Sequence, residues 1–510
     1  MRPRPFFPRS EISPWLVLVA VILGVGMPLA DTTITNVGRV FIVSTLGITS
    51  YEAGWLTASY SLALAVGVPL SHRLRGFLEE KDLYSGALLT FMLGSLFMAI
   101  STNFTEAMLS RGIEGLSAGI LLPLAPILIQ ESFPEHRRPL AMSYFALASA
   151  IWVTLGPTIG GFIIDNPGWQ WAFAINIPIG FLAIFFAQLF LSNHPRQDPR
   201  RFDGAGFLLL ATSLGCLFTG FMGAEWIGWH SDGTFLRLLA GLLLFFLFWL
   251  WSALFADPIL PTEVLKKPLF IVILVIVFLQ STQSFGRLYL LAPYLEKNYH
   301  FMAHNAGELV AVGALTEILL SLSFLFSRFL VGKWSLLLAS GCILVSISNI
   351  DFLFLPATAF SLSFLVKSQL VFGAGMALTQ ISLPPIAAML FPQNLIRAAT
   401  TYLLFVQFLG GAWGTMLGRH LVLHVKPVFS QMLPQLSSPL PPRSEAFLAD
   451  RLSQAFTSNI IFYDLGLIGL LGGFLAMAFL PLLATRKRAQ EGQKNKTISP
   501  ELPSTLNGES

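Results

Sequence analysis

WLVLVAVILGVGMPLADTTITN, residues 15 to 36, is the stretch that settles the fold. From Trp15 to Ala30 no residue is charged, and the next residue is Asp31. A bilayer's hydrocarbon core, about 30 Å thick, takes roughly 20 residues of helix. The run therefore reads as a membrane-crossing helix with one carboxylate in its outer half. No small-residue cleavage site leads into a polar mature chain, so a retained first helix with a cytoplasmic N-terminus is expected rather than a signal peptide.

The same grain continues to the other end of the chain. Cutting at polar and Pro/Gly breaks gives fourteen apolar segments: 15 to 36, 53 to 71, 83 to 101, 106 to 130, 140 to 164, 171 to 191, 206 to 226, 235 to 255, 269 to 290, 306 to 327, 334 to 354, 360 to 382, 397 to 424 and 460 to 484. A composition of 54% apolar against 11% charged residues cannot clothe a soluble globule in charge, so the surrounding solvent is lipid. The net charge of +4 sits in short loops and tails, which excludes a nucleic-acid surface as its explanation. Cys216 and Cys342 both fall inside apolar segments and read as packing residues, not a disulfide framework.

Loop cations report orientation, because cytoplasmic loops collect Lys and Arg. Alternate connections carry Arg2, Arg4 and Arg9; Arg73, Arg75 and Lys81; Arg137 and Arg138; Arg196, Arg200 and Arg201; Lys266 and Lys267; Arg328 and Lys333; Arg397; and Arg486 to Arg488. The other side offers Arg39, Arg237, Lys297, Lys426, Arg443 and Arg451. An all-α integral membrane protein with both termini cytoplasmic is expected. Residues 425 to 459 are expected to form an outer loop, with a short amphipathic helix near Glu445 to Phe456. The polar tail 489 to 510 is expected to be disordered.

An ionisable residue inside a span costs roughly 2.5 to 3.5 kcal/mol on a translocon scale and is a functional candidate by default. Asp31, Arg111, Glu114, Glu317 and Lys367 are such residues, while Arg287, Arg419, Asp351 and Asp464 lie nearer helix ends and are expected to snorkel. Arg111 and Glu114, three apart, share a helix face, and Asp31 lies at similar depth on another helix. A buried carboxylate whose separation from one arginine changes is the minimum for coupling proton binding to motion; a static ion pair that fixes helix packing is the alternative. Glu317 and Lys367 are candidates for the substrate cavity, Glu317 as an attractor of cations or as a second proton carrier. His420 and His424 have metal-ligand spacing but no third ligand, so no metal and no cofactor is expected. No phosphate-binding loop is present to use ATP, so an ion gradient is the expected energy source.

Several local patterns now line up. DTTITNV at 31 to 37 resembles the first-helix signature of the fourteen-span drug:proton antiporters of the major facilitator superfamily, the EmrB/QacA-like group. RGIEGLSAG at 111 to 119 resembles the fourth-helix motif, and GPTIGG at 156 to 161 the fifth-helix antiporter motif. WQWAFAINIPIG at 169 to 180 is similar to the group's most specific stretch. Gly156, Gly160 and Gly161 permit close helix contact and Pro157 bends the helix, which suits either two rocking halves or plain packing.

The resemblance implies the major facilitator fold of two six-helix bundles, residues 1–200 and 263–488, with an inserted helix pair at 201–262 and substrate near the midplane. It implies proton-coupled export of small amphipathic molecules, such as drugs or toxic metabolites, from the inner (cytoplasmic) membrane. It also allows a periplasmic adaptor and an outer-membrane channel as partners, beside protons and a small-molecule substrate. Export of a self-made metabolite such as a siderophore is the alternative, and a non-transporting sensor or scaffold another. Two departures bear on this. The loop expected to read Gly-x-Leu-Ala-Asp-Arg-x-Gly-Arg-Lys is HRLRGFLEEK at 72 to 81, leaving Glu79 or Glu80 to stand for the missing acid, and Glu114 replaces the group's usual Gln.

Overall fold

The computed structural model describes residues 13–191, 202–299, 301–326, 333–354, 362–436 and 464–478. Their regular structure is helical throughout. The first part holds α1 (Ser13–Leu46), α2 (Ser50–Leu74), α3 (Glu80–Ala99), α4 (Phe104–Ser132), α5 (Arg138–Asp165), α6 (Trp169–Ala174) and α7 (Asn176–Phe190). Next come α8 (Gly204–Ile227) and α9 (Asp232–Leu254). The last part holds α10 (Pro268–Tyr299), α11 (Ala303–Phe326), α12 (Trp334–Ile350), α13 (Leu362–Leu390), α14 (Gln393–Leu436) and α15 (Asp464–Ala478).

Twelve of the described helical segments are long and apolar enough to cross a membrane, α6 and α7 together making one of them. Two shorter apolar helices, α12 and α15, stand where the remaining expected spans fall. Helix ends follow local chemistry. Thr49 and Glu52 form a reciprocal capping box that starts α2, and the Asn103 side chain accepts from the Glu106 amide to start α4. The break between α6 and α7 at Ile175 follows from Pro178, which has no N–H to return to the Ala174 carbonyl. One boundary departs from expectation: α14 stays helical to Leu436 instead of giving way to a loop at 425. The proposed surface helix at 445 to 456 and the tail 489–510 lie outside the described residues, as do the side chains of Arg419, His420 and His424.

One end of the bundle gathers the cations. The Arg73 side chain donates to the Pro258 carbonyl, Lys267 donates to the Leu390 carbonyl, and His72, Arg75, Lys266 and Arg397 line one cavity of about 850 Å³. This is called the inner end. Asp203 ties α8 and α9 together there, accepting from the Gly206 amide (2.8 Å), Trp251 Nε1 (2.7 Å) and the Ile259 amide (2.8 Å).

Packing runs α2 on α4, α1 on α5 and α7, and α3 on α4 in the first part; in the last, α10 packs on α14, and α11 and α12 on α13. The two parts meet where α5 touches α11 and α2 touches α14. Towards the outer end, Ala58, Phe218, Ala412 and Met416 close into a small apolar cluster, with Trp55 and Trp413 packed on it. The outward faces of α8 and α9 stay apolar, with Phe235 65% and Leu254 77% exposed, which only a lipid solvent tolerates at this density.

Candidate functional site

Arg111 is the centre of the site. It sits in the second turn of α4, fully buried, and its Nη1 donates to Asp31 Oδ2 of α1 (2.5 Å) and to Glu114 Oε2 one turn further along α4 (2.7 Å). Both acids are buried as completely. The second Glu114 oxygen accepts from Ser95 Oγ of α3 (2.6 Å), and Ser95 accepts in turn from Asn176 Nδ2 at the start of α7 (3.0 Å). The guanidinium lies over the Tyr60 ring, 4.1 Å from its centroid, with Phe173 5.7 Å away. Residues of six helices, α1 to α4, α6 and α7, thus surround one arginine, and Tyr60 is itself fixed by donating to the Pro28 carbonyl (3.1 Å).

Close helix approach makes this possible. A Cβ at Gly115 would overlap the Tyr60 carbonyl oxygen, and one at Gly67 would come within 2.5 Å of the Leu116 oxygen, so α2 and α4 touch through glycine. The GPTIGG segment works in two directions. Gly156 and Gly160 face α1, where a Cβ would meet Thr33 Oγ1 at 2.5 Å and Ile34 Cγ1 at 2.6 Å. Gly161 faces α11, 2.6 Å from His304 Cα by the same measure, and Gly307 abuts the Pro157 carbonyl. Next to that contact, Asp165 Oδ2 accepts from the His304 amide (3.0 Å) and lies 2.9 Å from His304 Nδ1. α5 is therefore the strut that joins the Asp31 helix to the other part of the molecule at the outer end.

At the inner end the unusual 72–81 loop carries an ion-pair cluster. Arg75 pairs with Glu80 and reaches Glu131 of α4 at 3.2 Å. Of the two candidate acids, Glu80 is the buried one that meets the arginine.

The family model described as Major Facilitator Superfamily matches residues 21–415. The chain belongs to the major facilitator superfamily. It resembles the multidrug transporter protein MdtP of Bacillus subtilis, 27% identical over 448 residues, which cover 85% of this chain and 80% of that protein. The multidrug export protein EmrB of Escherichia coli is 27% identical over 309 residues, 60% of each chain. Among solved structures, the peptide transporter POT in complex with sulfate superposes with a TM-score of 0.67, covering 95% of this chain and 97% of that one at 15% identity, which speaks for the fold alone. This facilitator is a multi-pass membrane transporter and not an enzyme.

The remaining sequence candidates do not join the Arg111 cluster. Glu317 is half-buried on α11 and makes no hydrogen bond or ion pair among the described residues. Lys367 is exposed on the surface of α13. Arg287 corrects the snorkelling expectation: it is 1% exposed, held by Ser348, Asn349 and Ser368. Its helix runs on to Tyr299, well past 290, so the residue lies inside the span instead of at its edge. The facilitator also recruits Ser95 and Tyr60, which carry no charge to flag them in sequence. A polar stripe at Gln280, Gln283, Ser284 and Arg287, spaced i, i+3, i+4 and i+7, is the signal that marks the buried face of α10.

Proposed function

We propose that this facilitator is a proton-coupled antiporter that exports small amphipathic organic molecules, drugs or toxic metabolites among them, by alternating access across the inner membrane. The supporting observation is a charge count. Two fully buried carboxyl groups share one guanidinium, so the cluster carries one negative charge unless it holds one proton. Net charge sealed from water is costly, so occupancy by a proton and closure around the cluster favour each other. Pairing with Arg111 and protonation compete for the same carboxylate, and any motion of α1 against α4 changes the balance between them.

The names of the relatives MdtP and EmrB, as multidrug proteins, support a drug-like cargo. The contacts at Gly161 and Gly307 support a closed outer end in which α5 and α11 separate when the cavity opens outward. In this reading residues 1–200 and 263–488 are the two moving bundles, 201–262 an accessory pair, and Gly156, Pro157, Gly160 and Gly161 the conformational segment. Asp31 is the principal proton carrier, Arg111 its fixed partner and Glu114 a modulator. Glu317 faces the cargo path.

The test is transport into proteoliposomes driven by an imposed pH gradient. Wild-type protein is expected to concentrate ethidium against its gradient and Asp31→Asn to lose that ability while remaining inserted. Equal accumulation by the two would place the proton site elsewhere, and no gradient-driven movement of any amphipathic probe would favour the sensor reading.

A further inference from the structure

The last part of the molecule holds a second buried arginine with the opposite charge problem. Arg287 Nη1 donates to the Ser348 carbonyl (2.9 Å) and Asn349 Oδ1 (2.9 Å), and Nη2 to Ser368 Oγ (2.9 Å). Every one of these acceptors is neutral. No carboxylate of a described residue comes within 4.0 Å of the guanidinium, and Asp351 acts on it only from farther away. Its Nε has no hydrogen-bond partner among the described residues. Phe372 and Phe352 cover it at 4.7 and 5.2 Å. A lone positive charge so enclosed is incomplete without an anion.

A hydrogen-bonded path leads from that charge to a cleft. Asn349 Nδ2 donates to Gln283 Oε1 (3.5 Å), and Gln283 Nε2 donates to Gln280 Oε1 (2.6 Å). Gln280 lines a cleft of about 30 Å³ with Ser284, Gln380 and Gln407, around the thioether of Met376. Two buried donors converge on that sulfur: Gln280 Nε2 at 4.0 Å and Ser284 Oγ at 3.3 Å. A thioether is a weak acceptor, so both donors are poorly satisfied as they stand. The volume admits a head group and not a whole molecule.

We propose that this amide-lined cleft between α10 and α13 binds the carboxylate of an amphipathic organic acid, its oxygens displacing Met376 as acceptor for Gln280 and Ser284, with Arg287, three residues beyond Ser284 and two turns beyond Gln280 on α10, supplying the charge from behind the amides. The proposal deepens the export reading by naming an acidic cargo class, and it rests on that reading. Glu317, half-buried on α11, makes no ion pair or hydrogen bond to this cluster.

The experiment uses full-length protein in nanodiscs and three probes of one size: 1-naphthoate, 1-naphthamide and 1-naphthylmethylammonium. Equilibrium binding is expected to favour the carboxylate over the amide by about tenfold. Arg287→Gln is expected to erase that preference while leaving the amide's affinity in place. Arg287→Lys is expected to keep most of it, and Gln280→Leu and Ser284→Ala to weaken the carboxylate alone by a few fold. If Arg287→Gln does not fold, the Lys, Leu and Ala variants decide. Equal binding of the three probes, binding of none, or a preference indifferent to these variants overturns the site. Proton-driven ethidium transport by the same protein reconstituted into proteoliposomes stands apart from it: if that persists while the carboxylate preference is absent, the site falls and the exporter reading stands.

Discussion

The Arg111 and Arg287 clusters occupy matching places in the two parts of the chain and differ in what they lack. In the first, Asp31 comes from the opening helix, Ser95 from the third and Arg111 from the fourth. In the second, Arg287 comes from the opening helix of the last part, Ser348 and Asn349 from the next helix but one, and Ser368 from the one after that. The arginine has changed helix, and no acid has come with it. One cluster is a positive charge short and the other a negative charge short. In the proposed reading a proton completes the first and an anion the second, which suits the two halves of one fold to the two sides of an exchange.

The strongest way to break this contrast is to take the cation from the first cluster. Arg111→Ala strands two buried carboxyl groups, and loss of one partner of a buried pair costs about 3 to 5 kcal/mol. A marked fall in the melting temperature of detergent-solubilised protein is expected, together with loss of transport. A melting curve like the wild type's would mean that the cluster is wet and the charge count irrelevant. Asp31→Asn should separate stability from coupling: near-normal expression and melting, with pH-driven accumulation down by at least about tenfold, measured in the same vesicles.

Gly161→Leu tests whether the two parts must touch. The added side chain enters a main-chain contact, and overpacking of this kind costs about 1 to 3 kcal/mol. Cysteines placed on α5 and α11 near the contact should then cross-link less readily than in the wild type, and unchanged cross-linking would remove α5 from the closing mechanism. Glu317→Gln is expected to act more gently, lowering transport of cationic probes by a few fold relative to neutral ones. Ser95→Ala should have the smallest effect, about 1 kcal/mol of stability, because Glu114 keeps its bond to Arg111. An effect of Ser95→Ala as large as that of Arg111→Ala would show that the α3 hydroxyl, and not the guanidinium, organises the cluster.

These outcomes also bear on what sequence makes visible. Asp31, Arg111 and Glu114 announce themselves, since a charge in an apolar run has to be compensated and few partners lie at its depth. Ser95 and Asn176 do not. Hydroxyls and amides are common inside spans, and Ser95 meets Glu114 across 19 positions and Asn176 across 81. Arg287 misleads for a different reason: cutting its apolar run at 290 makes it look terminal, whereas α10 extends to Tyr299 and buries it. Run lengths mark where hydrophobicity ends, and helices continue past that point wherever the backbone can still bond to itself. The same holds for α14, which carries on to Leu436.

The meeting of α5 and α11 has one more consequence. Gly161 rests on the His304 backbone and Gly307 on the Pro157 carbonyl, so apart from the neighbouring Asp165–His304 pair the closure there is main chain against main chain. Such a seal has no chemical taste: it opposes the passage of every cargo alike and learns nothing of what is carried. If the proposed cleft is the lock, door and lock are built from different parts, and substitutions on α10 and α13 should recut the lock for new cargo while the door goes on shutting as before.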